Sequence, residues 1–133
     1  MSGEENVEVI RRAYASVNAT GDVPDELLLS DMTIDGTGAT PDIGASLPVE
    51  AAREALRSYI QTFEGFRVEL NELIHADGSC VVTMVRDGGR LKGSEAEIWN
   101  RFFHVFSFRD HRIASFAAYT DRKQALEAAG LSE

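Results

Sequence analysis

Residues 97–119 have the sequence EIWNRFFHVFSFRDHRIASFAAY, which is the clearest indication of the fold. Its first half, up to Phe108, is long and aromatic, and its second half, from Ile113, is apolar with several small residues. Asp110 and His111 separate the two halves, and aspartate is typical of tight turns. The pattern predicts two antiparallel strands joined by a short turn.

Two further strands are predicted before this hairpin. Apolar and polar residues alternate over residues 66–71, as in a strand with one buried face, and the alternation slips near residues 73–74, which predicts a bulge. Residues 80–85 are a short apolar run typical of a buried strand. The dipeptides Asp77-Gly78 and Gly88-Gly89 predict a turn at each end of that run. Together the four strands form an antiparallel meander.

The N-terminal part of the chain is predicted to be helical. Ser2 to Glu5 resembles a capping box, apolar residues recur at helical spacing from Val7 to Val17, and Gly21 ends this helix. The other predicted elements are a short helix from Pro24 through Leu29, a brief strand from Met32 to Asp35, a loop over residues 36–47, a third helix from Pro48 to Gly65 and a last helix from Asp121 to Gly130. Helices on one face of a curled sheet make an α+β fold.

Size and charge limit the possible functions. The chain has 133 residues, so residues 1–133 are predicted to form one domain. It carries 22 acidic and 13 basic side chains, a net charge of −9. The basic residues are scattered, so neither nucleic acid nor an anionic membrane is an expected partner. Cys80 is the only cysteine, the N-terminus is acidic and no apolar run approaches about 18 residues, so a cytoplasmic location is expected.

Several segments resemble one known family. They are Asn6–Tyr14 with Gly21-Asp22, Glu50–Leu56, Phe103–Asp110, Tyr119–Arg122 and Gln124–Leu131. In these segments the chain resembles the SnoaL-like proteins of the nuclear transport factor 2-like superfamily. The resemblance implies a cone-shaped, curved antiparallel sheet with the N-terminal helices on its concave face and a short C-terminal helix. It also implies a homodimer formed through the outer face of the sheet.

The superfamily includes ketosteroid isomerases, limonene-type epoxide hydrolases, polyketide cyclases and many proteins without known activity. For this chain the resemblance implies a small hydrophobic molecule as the partner, and no cofactor is expected. The three histidines, His75, His104 and His111, lack the spacing of metal ligands, so no metal site is expected either.

The resemblance suggests Tyr14 and Asp35 as catalytic residues. Tyr14 lies where similar isomerases have a hydrogen-bonding tyrosine, and a buried phenol can donate to a developing oxyanion. The alternative is a tyrosine that fills the apolar side of the helix. Asp35 lies near the position of the isomerases' general base. In an apolar cavity its pKa would rise and make it a usable base, whereas in a solvated loop it would stay charged and inactive.

His104 and Arg101 are the other two catalytic candidates. His104 falls near the isomerases' oxyanion-stabilising acid, and imidazole acts as an acid or base near neutral pH. The alternative is a structural role at the dimer face. A two-residue turn at Asp110-His111 pairs His104 with Ala117, and turns it outward if Ala118 faces the cavity, whereas a three-residue loop reverses this. With the two-residue turn, Arg101 would share the face of Phe103 and point inward. There it would bind a carboxylate or enolate, or else pair with a neighbouring acid.

Epoxide hydrolysis is rejected on two grounds. That reaction needs carboxylates and an arginine together, yet Ala118 occupies the carboxylate position of the last strand. Asp87, which ends Val85-Arg86-Asp87, precedes Gly88-Gly89 and is expected to be a turn residue. Some aromatic residues must line the interior of the cone. The residues expected to contact a ligand are Phe63, Trp99, Phe103, Phe116 and Ala118.

Two functions remain open. The first is a cofactor-free enzyme that carries out isomerisation, cyclisation or hydration of a small hydrophobic carbonyl compound. In it Tyr14 donates a hydrogen bond, Asp35 takes the proton, and His104 or Arg101 stabilises the anion. The second is a protein that holds an apolar ligand, or acts as a dimer scaffold, without catalysis. The fold is common to both, so only the site can separate them.

Overall fold

A computed structural model of the protein describes residues 3–35 and 47–131. In these ranges the chain forms three α-helices, a 3₁₀ turn and six strands. In chain order they are α1 (Gly3–Thr20), the 3₁₀ turn (Asp25–Leu27), β1 (Leu28–Asp35), β2 (Leu47–Pro48), α2 (Val49–Gln61), β3 (Phe63–Ala76), β4 (Cys80–Leu91), β5 (Glu97–Arg109), β6 (Arg112–Tyr119) and α3 (Arg122–Ala128). Ser2 of the predicted capping box and residues 36–46 of the predicted loop lie outside the described residues.

The six strands form one curved sheet in the order β2-β1-β6-β5-β4-β3. Strands β3 to β6 are the predicted antiparallel meander, which is confirmed. β1 runs parallel to β6 and pairs with β2 in the antiparallel sense, so the sheet is mixed. The ladder between β3 and β4 shifts between Leu73 and His75, which confirms the predicted bulge. The α+β fold expected from the sequence is therefore confirmed.

The helix predicted after Pro24 is wrong beyond Leu27. Only Asp25–Leu27 forms a 3₁₀ turn, and Leu28 already begins β1. Leu28 pairs with Ile113 of β6, so hydrogen bonds to a neighbouring strand outweigh the helix propensity of leucine. A short apolar run fits a buried strand as well as a helix, and periodicity alone does not separate the two.

The turn predicted at Gly88-Gly89 is also wrong. β4 runs through both glycines to Leu91, and the chain reverses over residues 92–96. The φ angle is 147° at Gly88 and 153° at Gly89, which favours glycine. A Cβ atom at Gly88 would collide with the carbonyl oxygen of Ile98 on β5. The glycines therefore allow two strands to approach closely, and they do not reverse the chain.

Helices α1 and α2 lie over the inner, concave face of the sheet. α1 packs there with Val9, Ile10 and Ala13 buried, and of these only Ile10 belongs to the predicted apolar side of the helix. As predicted, α1 ends at Gly21, whose φ is 81°. The other buried residues of this core are Leu27, Met32, Val81, Phe106, Phe108 and Ile113. None of the described helices is long and apolar enough to cross a membrane.

Helix α3 packs against β5 and β6 on the outer face of the sheet. Asp121 caps it as predicted, because its carboxylate accepts a hydrogen bond from the Gln124 N–H at 3.1 Å. Arg122 pairs with Glu72 at 2.9 Å. Glu72 is the cross-strand partner of Met84, whose side chain points away from α1 and α2. The two helix layers thus lie on opposite faces of the sheet.

Candidate functional site

A cavity of about 190 Å³ lies between α1, α2 and the inner face of the sheet. A cavity of roughly 150 Å³ can hold benzene, so this space fits one ring with short substituents. Its walls are almost entirely apolar, with Val17 and Leu56 from the helices and Phe66, Phe106 and Phe116 from the strands. Apolar walls with a few convergent polar groups are typical of small-molecule sites.

Asp87 is a buried carboxylate in the wall of this cavity. Alternation along β4 turns it inward, and only 6% of the residue is exposed. Its Oδ1 accepts a hydrogen bond of 2.5 Å from the Tyr59 hydroxyl. Asn100, the cross-strand partner of Asp87 on β5, donates to the Tyr59 oxygen at 3.1 Å. One helix and two strands therefore fix the position of the carboxylate.

The burial of Asp87 changes its acidity. Burial raises the pKa of Asp87 from 3.8 to about 6, and the hydrogen bond from Tyr59 partly opposes this rise. Desolvation disfavours the charged form, whereas the phenol stabilises it. Burial and the bond to Asp87 also raise the pKa of Tyr59, so the phenol keeps its proton. Asp87 is ionised at pH 7 but close to its pKa, which suits a general base.

His104 and Tyr14 form a second polar group in the same cavity. The Tyr14 hydroxyl lies 2.8 Å from Nδ1 of His104 and 2.9 Å from Oγ1 of Thr83. Burial lowers the pKa of His104 from 6.5 to about 3, so its ring is neutral at pH 7. Burial raises the pKa of Tyr14, the bond with Thr83 opposes this, and the negative charge of Asp87 adds to it. The carboxylate of Asp87 therefore influences the acidity of this second polar group.

A neutral imidazole carries one proton, and its hydrogen-bond partners decide which nitrogen holds it. If Thr83 donates to Tyr14 and Tyr14 donates to Nδ1, the ring proton of His104 is on Nε2. The reverse order leaves the hydroxyl proton of fully buried Thr83 without an acceptor among the described residues, which costs about 1–3 kcal/mol. The first order is favoured. Nε2 has no partner in the described part of the chain, so its N–H is available to a molecule in the cavity.

Tyr14 and His104 are the two predicted catalytic residues that the structure brings together. The turn at Asp110-His111 has two residues, as predicted, with φ angles of 55° and 59°. Beyond Ser107, however, a bulge shifts the ladder by one residue, so that His104 pairs with Ala118. The prediction that a two-residue turn directs His104 outward is therefore wrong, because the extra residue on β6, Ala114, puts Ala118 opposite His104 and on the same face.

Asp35 and Arg101 lie on the outer face of the sheet. Ile34 contributes to the cavity wall, so alternation turns Asp35 to the other side. Burial raises the pKa of Tyr119 on that face, and the negative charge of Asp35 adds to the rise. Arg101 is one of the odd-numbered residues of β5, which face outward, and its guanidinium lies 5.9 Å from the centre of the Phe103 ring. The prediction that Arg101 points into the cavity is therefore wrong.

The five residues predicted to contact a ligand divide between the two faces. Phe116 lines the cavity, and Ala118 lies on the same face of β6. Trp99 and Phe103 point outward, because alternation along β5 directs the odd-numbered residues away from α1 and α2. Phe63 is buried beside the cavity and does not form part of its wall. Phe116 alone of the five contacts the cavity directly.

The expectation that Asp87 is a turn residue is wrong, because β4 continues past it. Its inward position follows the alternation that begins at Val81, which is the signal in the sequence for this residue. Tyr59 lies on the predicted apolar side of the third helix, but its bond to Asp87 depends on tertiary packing. One ground against epoxide hydrolysis, the turn position, is thereby removed, whereas the other, Ala118 on the last strand, stands.

Arg53 of α2 is the remaining charged residue in the wall, together with Asp22. Its Nη1 donates to Asp22 Oδ1 at 2.7 Å, and its Nη2 donates to Asp25 Oδ1 at 2.5 Å. The Nε atom is buried and has no hydrogen-bond partner among the described residues. Within residues 3–35 and 47–131, no group of three or more potential metal ligands occurs.

Solved structures share this fold. A protein named as a SnoaL-like polyketide cyclase, from Jannaschia sp. CCS1, is 18% identical with a TM-score of 0.74, over 90% of this chain and 87% of that one. An epoxide hydrolase of Mycobacterium tuberculosis, named as limonene-epoxide-hydrolase-like, is 21% identical with a TM-score of 0.68, over 90% and 84%. A protein with a ketosteroid isomerase-like fold from Catenulispora acidiphila, solved with trimethylamine, is 22% identical with a TM-score of 0.65, over 93% of each. At these identities the likeness shows the fold alone.

The family is shown by the sequence itself. No curated protein matches the chain. The family model of the SnoaL-like domain, however, matches residues 10–116, from α1 to β6. The matched segment contains Tyr14, Asp87 and His104, and the resemblance inferred from the sequence is confirmed. The chain belongs to the family of SnoaL-like domains.

Proposed function

We propose that the protein is an acid–base enzyme, of the isomerase or cyclase type, for a small, uncharged and mostly apolar carbonyl compound. One observation carries the proposal: a carboxylate and a neutral N–H donor, Asp87 and His104, line the same apolar cavity. Both reacting groups belong to the chain, so this chemistry needs no cofactor. Similar structures named as a polyketide cyclase and as ketosteroid isomerase-like support the reaction class only at the level of the fold.

In the proposed reaction, Asp87 removes a proton from the carbon next to the substrate carbonyl. It does so through Oδ2, because Oδ1 holds the hydrogen bond from Tyr59. The electron pair of the C–H bond forms the C=C bond of an enolate, and the π pair of the carbonyl moves onto its oxygen. The Nε2–H of His104 donates to that oxygen as its charge develops.

Two outcomes of the enolate are consistent with this site. Return of the proton from Asp87 to a different carbon completes an isomerisation. Alternatively, the enolate carbon attacks a second carbonyl of the same molecule, and Asp87 gives its proton to the resulting alkoxide, which completes a ring closure. In both cases Asp87 ends the cycle ionised and His104 neutral, so no net proton is gained or lost.

The acidities of the two groups suit this chemistry. A base whose pKa lies near the working pH combines a high ionised fraction with a useful driving force for proton transfer, and the pKa of Asp87 is about 6. A neutral donor suits the cavity because apolar surroundings penalise an imidazolium, which is why the pKa of His104 is lowered. A positioned base and a positioned donor each typically contribute about 100-fold or more to the rate.

Hydrogen exchange tests the proposal directly. A panel of one-ring ketones is incubated with the protein in D₂O, and loss of the α-proton signals is followed by NMR. We expect the wild type to accelerate exchange and D87N to lose at least about 100-fold of that acceleration. E69Q is the matched control, because Glu69 is exposed on the outer face and pairs with Arg86. Equal exchange rates for the wild type and D87N would refute the enzyme.

A ligand-binding protein without catalysis is the second candidate function. The almost wholly apolar wall of the cavity favours it. The buried carboxylate of Asp87 favours the enzyme, because a desolvated charge lowers stability and adds nothing to the binding of an apolar ligand. Binding of ring ketones by the wild type without any α-proton exchange would support the carrier over the enzyme.

The homodimer remains a prediction from the family resemblance. The outer face of the sheet carries Trp99, with the Arg86 guanidinium 4.2 Å from the centre of its ring, and α3 covers another part of that face. Sedimentation equilibrium tests the prediction, and a monomer at all concentrations would contradict it.

A further inference from the structure

The cavity has a polar group at each end. Arg53 and Tyr59 are both in its wall and both come from α2. They are six residues apart, so about 9 Å of helix axis separates them. Tyr59 marks the end that holds Asp87, and Arg53 marks the end that holds Asp22. A molecule that reaches from one end to the other would need a polar group at both.

The donor at the second end is unused. The Nε–H of Arg53 is buried and has no acceptor among the described residues, although the other two nitrogens of the guanidinium are engaged by Asp22 and Asp25. A buried donor without an acceptor is unfavourable. A ligand oxygen that accepts this proton would remove the penalty.

The charge around Arg53 decides which oxygen fits. One guanidinium is flanked by two carboxylates, Asp22 and Asp25, so the cluster is net negative. This disfavours a ligand carboxylate or phosphate. A neutral oxygen is not repelled, and a hydroxyl can also donate to Oδ2 of Asp22, because the hydrogen bonds of Asp22 in the described chain use Oδ1. Since Asp22 also lines the cavity, the pair offers one donor and one acceptor to a single hydroxyl group.

We infer that Arg53 and Asp22 bind a neutral hydroxyl group at the far end of a one-ring substrate whose α-carbon lies at Asp87. The orientation of the substrate rests on the proposed function. The hydroxyl site deepens that function, because it names the substrate class: monocyclic ketones that also carry an alcoholic or phenolic hydroxyl group. Arg53 is then a residue that determines specificity, and it takes no part in the proton transfer.

A pair of matched compounds tests the inference. The probes are 4-hydroxyacetophenone and 4-methylacetophenone, which exchange a hydroxyl for a methyl group of similar size. We expect the wild type to bind the hydroxyl compound about tenfold more tightly by calorimetric titration, as one hydrogen bond to a charged group implies. R53K keeps the positive charge but has a methylene where arginine has Nε, so it should lose the preference and keep its affinity for the methyl compound.

R57K is the matched control. Arg57 is on the same helix, its side chain is 56% exposed, and R57K should keep the tenfold preference. Since R53K also alters the contacts with Asp22 and Asp25, a second measurement uses the wild type alone. The NMR signal of the Arg53 Nε–H should shift with the hydroxyl compound and stay in place with the methyl compound.

Three results would overturn the inference: equal or absent binding of the two probes by the wild type, a preference that survives in R53K, or an Nε–H signal that does not move. D87N separates this inference from the proposed enzyme. It should lose α-proton exchange and still prefer the hydroxyl compound. A wild type that prefers the hydroxyl compound without exchanging α-protons supports the hydroxyl site and refutes the enzyme.

Discussion

The Tyr59 hydroxyl donates to Asp87 across 2.5 Å, and in the same cavity the Tyr14 hydroxyl lies 2.8 Å from His104. Each tyrosine comes from a helix, and each reacting group comes from one of the neighbouring strands β4 and β5. The cavity therefore fixes its carboxylate and its imidazole in the same way, through a phenol. Each phenol is in turn held by a strand side chain, and these are Asn100 and Thr83.

Y59F should move the pH dependence of the reaction. The phenol stabilises the ionised form of Asp87 and so holds its pKa below the value that burial alone would give. Without the phenol we expect the pKa of Asp87 to rise from about 6 by about one further pH unit, the effect of one hydrogen bond to a charged group. The acid limb of the exchange rate against pH should shift upward by the same amount.

Y119F is the control for this experiment, because Tyr119 lies on the outer face, where Asp35 influences its pKa. Its acid limb should match that of the wild type. An acid limb that stays in place in Y59F would show that a group other than Asp87 titrates in the reaction.

D87N should stabilise the fold at neutral pH. The carboxyl group loses its proton near pH 3.8 in the unfolded chain and near 6 in the folded one. Between these values the folded state binds more protons, so the stability contributed by this group falls as pH rises and stays reduced above 6. Asparagine carries no charge, and its amide oxygen can still accept from Tyr59. We expect the free energy of unfolding to increase by about 1–3 kcal/mol at pH 7.5 and to be unchanged at pH 3.5.

Urea denaturation at the two pH values measures this difference. D31N is the matched control, since Asp31 is exposed and pairs with Arg109 at 3.1 Å. Its stability should differ little from that of the wild type at pH 7.5. A D87N protein less stable than the wild type at pH 7.5 would mean that the cavity favours the ionised carboxylate, contrary to its raised pKa.

The meander could be predicted from the sequence because alternation and turn residues are local signals. The bulge near Leu73 and the turn at Asp110-His111 could be predicted for the same reason. The pairing of β1 with β6 was not, because a parallel pair joins segments distant in sequence. Neither was the bulge in β6 between Ile113 and Ser115, which nothing in the sequence of that strand marks.

The candidate site shows the same division. Tyr14 and His104 could be proposed from the sequence, and they meet in the cavity. Asp87 was obscured by the two glycines that follow it, since Gly-Gly is a common turn signal. Its role depends on the distance to Tyr59, 28 residues away. One unmarked bulge was enough to exchange the predicted faces of His104 and Arg101, because side chains in a strand alternate with a period of two.

G88A should disrupt the contact between β4 and β5. A Cβ atom at Gly88 would collide with backbone atoms of Ile98, whereas one at Gly93 meets nothing within 4 Å. Both glycines have positive φ, 147° and 77°, so both substitutions carry a conformational penalty of about 1–2 kcal/mol. G88A adds the steric conflict, and we expect it to be less stable than G93A by at least about 2 kcal/mol in urea denaturation. Equal stabilities would show that the strands can separate at Gly88 without loss.

H104L should impair the reaction more than Y14F. Leucine fills the place of the imidazole but removes the Nε2–H, so the α-proton exchange rate should fall about 100-fold while the affinity for a ring ketone changes little. Y14F leaves the ring in place and only removes the partner that fixes its tautomer, so we expect a smaller loss of roughly tenfold. The sequence alone does not rank the two residues, because it makes Tyr14 a possible hydrogen-bond donor and His104 a possible stabiliser of the anion. Exchange rates for both variants at pH 7.5 decide between them: a greater loss in Y14F would assign the oxyanion to the phenol and leave His104 as its support.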